Sequence, residues 1–133
     1  MLARVWSAAI AGIDAIKVGV EVDVSGGLPK IIVVGLPDVA IQESRERVKA
    51  ALKNANFAFP VRKIVINLTP ADLRKEGPCF DLPISVGILA ASEQVDPQLL
   101  GDYLFFGEVS LDGTLRAVSG VLPIAEKKKK MGI

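Results

Sequence analysis

Valine falls on alternate positions from Val18 to Val24, with Gly19, Glu21 and Asp23 between them. With Lys17 just before this run and on the same face as Glu21 and Asp23, the period of two predicts a strand with one buried and one wet face. Ser25-Gly26-Gly27-Leu28-Pro29 supplies turn residues and Lys30–Val34 continues as a strand, so residues 17–34 read as a hairpin, with Ala3–Ile13 expected to pair beside it. After Gly35-Leu36-Pro37 the period lengthens. Ile41, Ser44, Val48, Ala51, Leu52 and Ala55 form one apolar or small stripe of a helix over Val39–Asn54, with Asp38 placed to cap it. The opposite face carries Glu43, Arg45, Glu46, Arg47 and Lys49, and Glu43 and Arg47 stand in the favourable i,i+4 order. Pro60 resets the chain, and Arg62–Leu68 reads as a central strand.

Leu82–Ala91 is apolar on most sides, the pattern of a buried helix, with Asp81 expected to cap it and Pro83 in its first turn. This run is far short of the ~20 residues that cross a bilayer. Tyr103–Phe106 and Thr114–Val118 bracket the turn at Asp112-Gly113 and predict a second hairpin, and a helix from Val121 to Lys130 follows. This order of elements predicts an α/β (α+β) fold, a mixed sheet with helices mainly on one face.

The 133 residues amount to one domain, able to bury roughly two thirds of the unfolded surface. Half the residues are hydrophobic, few are aromatic and the net charge is +1, so any attraction to nucleic acid must come from a local patch. A single cysteine excludes an intrachain disulfide. The lack of histidine removes the commonest metal ligand and general base, and no metal site is expected. Asp72, Glu76 and Asp81 match no known ion-binding loop. There is no phosphate loop of the G-x-x-x-x-G-K-[ST] kind and no G-x-G-x-x-G, so no cofactor is expected in these residues. The start lacks the layout of a signal peptide, which points to the cytoplasm and away from a membrane.

Two groups of cations are candidates for DNA contact. Arg62, Lys63, Arg74 and Lys75 flank the loop Asn67–Asp81, while Arg45, Arg47, Lys49 and Lys53 line the exposed helix face. Glu43, Glu46 and Glu76 among them also fit an ordinary solvated face. Phe57 and Phe59 are the nearby aromatics, so contact is expected through phosphates and without sequence preference. Lys127–Lys130 falls in the last turn of a predicted helix, where cations complement the dipole.

Three segments occur in order: Val33-Val-Gly-Leu-Pro-Asp38, the loop Asn67–Asp81, and Gly107-Glu-Val109 running on to Gly120-Val121. Together they resemble the N-terminal domain of the ComM/YifB-type magnesium-chelatase-like AAA+ ATPases, and the last two are similar to the signatures of Lon-type Ser-Lys peptidases. The resemblance implies a ribosomal-protein-S5-domain-2-like fold. It puts Cys79 in the place of the nucleophilic serine and Leu122 in that of the general-base lysine, hence a non-catalytic domain. It further implies that residues 1–133 are one domain ending before its last strand, with an ATP- and magnesium-using AAA+ module lying downstream. Such proteins form hexameric rings that act on DNA in recombination and branch migration during natural transformation. This domain would serve assembly and DNA or partner contact. Two other readings stay open. One is a divergent peptidase with Cys79 as nucleophile, its pKa lowered by the helix N-terminus, and Lys75 or Lys63 as base. The other is a structural protomer-protomer module using Trp6, Leu104 and Phe105.

Overall fold

Alternating residues build four strands, β1 (Leu2–Ala11), β2 (Asp14–Ser25), β3 (Lys30–Val34) and β4 (Lys63–Thr69), joined as one sheet in the order β1-β2-β4-β3. The computed structural model describes residues 1–12 and 14–118. Registers Val5↔Val20, Val20↔Leu68 and Val22↔Ile66 align the apolar members of β1, β2 and β4 on one face, where all are buried. The alternation in β2 is the one the sequence predicts.

The hairpin expected over residues 17–34 does not form. β4 lies between β2 and β3, antiparallel to the first and parallel to the second. Val20, Val22 and Val24 gain fully apolar partners on β4, whereas β3 is only partly buried at the sheet edge. The loop Ser25–Pro29 steps over one strand instead of reversing. Helix α1 (Val39–Asn54) then carries the chain from β3 back to parallel β4, a βαβ crossover.

Helix α2 (Asp81–Ala91) follows a 3-10 turn at Pro78–Phe80 and packs on β1 and β2, with α1 against it, so both helices cover one face. Gly87 makes this contact possible: a Cβ there would lie 2.6 Å from Val22 Cγ2. The result is the α+β arrangement expected from the sequence.

The second hairpin exists but pairs other residues. β5 (Glu108–Val109) and β6 (Leu115–Arg116) flank the turn, in which Asp112 accepts from the Thr114 N–H at 3.0 Å. Tyr103–Phe106 instead runs beside the outer edge of β1, where the Phe105 N–H donates to Trp6 O at 2.9 Å. Phe105 also packs against the core, and Lys17 Nζ sits 3.7 Å from the centre of the Trp6 ring. Trp6, Leu104 and Phe105 are therefore half-buried and engaged, not a free apolar patch. The expected Val121–Lys130 helix, its lysine run and Leu122 lie outside the described residues.

Candidate functional site

The loop after β4 meets the turn after β3 through Lys75. Its N–H donates to Leu36 O at 3.0 Å, and its carbonyl accepts from the Asp38 N–H at 3.1 Å. The ammonium turns inward, donating to Gly35 O at 2.8 Å and also to Pro70 O, and the whole residue is buried. Burial pulls the Lys75 pKa below its ordinary value. Buried in this way, the ammonium is not displayed to DNA, which corrects that expectation, and its hydrogen bonds among the described residues go to these carbonyls and not to Cys79.

Asp38 caps α1 as expected, accepting from the Ile41 N–H at 2.9 Å, and its second oxygen accepts from the Gly77 N–H at 3.0 Å. Asp81 does not cap α2: no side-chain bond closes that helix start. Its fully buried carboxylate instead accepts from Ser44 Oγ, from Arg47 Nε at 2.8 Å and Nη2 at 3.0 Å, and from the Val109 N–H at 3.2 Å. Arg47 thus folds under α1 and away from the solvated face, so it too leaves the set of DNA candidates. An aspartate set in the apolar run Phe80-Asp81-Leu82-Pro83-Ile84, with an arginine bordering a buried helical stripe, is the sequence signal that could have revealed this pair.

Cys79 is half-buried at the rim of an open cleft of about 530 Å³ that also touches Ala8, Ile10 and Phe106. Burial raises its pKa, and the charges of Asp81 and Glu108 add to the rise, contrary to the lowering expected from the helix start. Lys63 stands at the start of β4, six residues and roughly 20 Å of extended chain from the strand's other end at Thr69. Among the described residues, then, neither lysine weighed as a base is hydrogen-bonded to the thiol. Iodoacetamide at neutral pH should alkylate native Cys79 more slowly than the unfolded chain, with the rate rising as pH increases. Native labelling faster than unfolded labelling would restore the cysteine-peptidase reading.

The remaining cations divide. Arg74 is exposed and pairs with Glu76 at 3.3 Å, a surface contact of little energetic weight. Arg45, Lys49 and Lys53 from α1 gather with Arg62 in an open groove of about 400 Å³. Lys30, at the start of β3, joins them there. Sequence spacing gave no sign of it, since only the β3-α1-β4 crossover brings it near. All five are exposed, and among the described residues none lies within salt-bridge distance of a carboxylate. Among the described residues Glu46 is the one acid of the lining. No group of three cysteine or acidic side chains suited to a metal occurs among the described residues. Nor is any helix among them long and apolar enough to cross a membrane.

The fold and this framework define a class: an α+β domain in which Lys75, Asp38 and Asp81 tie three separated motifs together. Residues 20–133 match the family described as subunit ChlI of Mg-chelatase. Over 131 residues the chain is 48% identical to the competence protein ComM of Haemophilus influenzae, covering 97% of this chain and 26% of that protein. Over the same length it is 44% identical to YifB of Escherichia coli K12 and 40% identical to an uncharacterised protein of Mycobacterium bovis. Each match covers 98% of this chain and 26% of the relative. The chain belongs to the Mg-chelatase ChlI family and stands with its ComM and YifB members. It spans 26% of the length of these curated relatives.

Proposed function

We propose that the chain is the N-terminal, non-peptidase domain of a ComM/YifB-type AAA+ ATPase, and that its own work is contact with the phosphates of DNA. One observation carries this: among the described residues, five exposed cations share a groove with a single carboxylate. Clustering of this kind raises the local potential that a net charge of +1 hides. Arg45, Lys49, Lys53 and Arg62 remain the contact residues, with Lys30 added.

Similarity to the Haemophilus competence protein supports a setting in DNA uptake and recombination. ATP, magnesium and a hexameric ring would belong to the downstream module. Protomer assembly is a second task for this domain, favoured by the exposed apolar residues Val34, Leu36 and Val39 around the start of α1.

Fluorescence anisotropy with labelled DNA tests the reading. Micromolar binding should weaken more than tenfold as salt rises from about 50 to about 200 mM, because counterion release dominates phosphate contact. Absence of binding at the lower salt would contradict it and leave assembly as the domain's task.

A further inference from the structure

We propose that the groove beside α1 holds the backbone of a single nucleic-acid strand, with a base resting on the apolar wall formed by Phe59, Pro60 and Val61. The inference rests on the reading that this groove contacts nucleic acid, and it specifies the form that binds.

Spacing provides the first argument. Arg45, Lys49 and Lys53 recur every fourth residue, so each lies about 6 Å further along the axis of α1. That step is close to the separation of neighbouring phosphates in an extended strand. Arg45 is already held in place, its Nε donating to Gln42 O at 2.9 Å and Nη1 to Ile31 O at 3.5 Å. Both partners are neutral carbonyls, which leaves the guanidinium charge available to an anion.

The wall provides the second. Val61 is 80% exposed, although it is aliphatic and sits next to Arg62. Phe59 is half-buried against the core and, with Pro60, also lines the groove. A merely solvated charged face needs no such surface. Apolar side chains beside a row of cations fit a ligand with charge along one edge and a flat apolar face on the other. A nucleotide of a single strand is such a ligand, since its base can stack without being read. A duplex keeps its base faces inside the stack.

Shape agrees with both. Arg45, Lys49 and Lys53 approach from α1, and Lys30 and Arg62 approach from the start of β3 and the segment before β4. Cations from separate elements around a concave groove can surround a thin strand, whereas a duplex would meet only the rim.

The test is fluorescence anisotropy of the intact chain with a labelled oligothymidine strand and with a duplex of equal length. Both are titrated between about 50 and about 200 mM salt. At the lower salt the single strand should bind at least tenfold more tightly. Its log-log salt slope should be near −3.5, from about five phosphate contacts at roughly 0.7 each. Lys49→Gln should reduce the slope by about 0.7. Val61→Ser, at an exposed position where folding is not at stake, should weaken single-strand binding severalfold and leave the slope unchanged, because stacking releases no counterions. Duplex binding as tight as single-strand binding would overturn the single-strand assignment while phosphate contact stands. Unchanged affinity in Val61→Ser would overturn the base wall. No binding of either form would overturn the underlying reading as well.

Discussion

Replacing Asp81 with alanine is expected to destabilise the fold by about 3–5 kcal/mol, a large part of the stability of a domain this size. The carboxylate is fully buried and is shared by α1, through Ser44 and Arg47, and by β5, through the Val109 N–H. Alanine strands that N–H and leaves the guanidinium, itself only 23% exposed, without its counter-charge. Arg47→Ala should cost a similar amount by leaving an unpaired buried carboxylate. Replacing the pair together, as Arg47→Met with Asp81→Leu, should recover part of the loss, since apolar residues of similar volume avoid desolvating two charges, while the Val109 N–H and the Ser44 hydroxyl still lose their acceptor. Urea unfolding followed by circular dichroism measures all three. A loss below about 1 kcal/mol for Asp81→Ala would mean that the network contributes little.

Gly35→Ala is expected to have an effect of comparable size for a different reason. Gly35 has φ +101°, in the left-handed region that side chains avoid, and an added Cβ would lie 2.1 Å from Leu68 O. That atom belongs to the backbone of the central strand and cannot rotate aside. Relief requires moving the β3-to-α1 turn away from β4, which breaks the Lys75 bond to Gly35 O. Backbone strain and overpacking together give about 3–5 kcal/mol, a fall in Tm on the order of 10–20 °C. A fall of less than a few degrees would show that the turn can shift freely and that the Lys75 latch is dispensable.

The elements that were legible in the sequence are those whose pattern is local. The alternation from Val18 to Val24, the Asp38 cap, the stripe from Ile41 to Leu52 and the apolar run after Asp81 each declare their element, because period and capping act within one or two turns. Strand order was not legible. Gly26, Gly27 and Pro29 serve a hairpin and a step across a strand equally well, and only the apolar match between β2 and β4 decides. The candidate site divides along the same line. That α1 carries a cationic face is a local fact. Which of its cations is free is not, because Arg47 is drawn inward by an aspartate 34 positions away, and Lys75 by carbonyls of two separate turns. Lys30 entered the groove through the same crossover that hid it from any spacing argument.

The residues that make the motifs recognisable, Lys75, Asp38 and Asp81, serve the framework, while the exposed cations Arg45, Lys49 and Lys53 lie on the far side of α1's stripe. The affinity of a labelled DNA strand for the chain carrying Arg45→Gln, Lys49→Gln and Lys53→Gln together, compared with the unaltered chain at about 50 mM salt, tests this division most directly. A loss of at least tenfold is expected, with Tm within a few degrees of the unaltered chain, since all three side chains are exposed. Equal affinity in the two chains would contradict it.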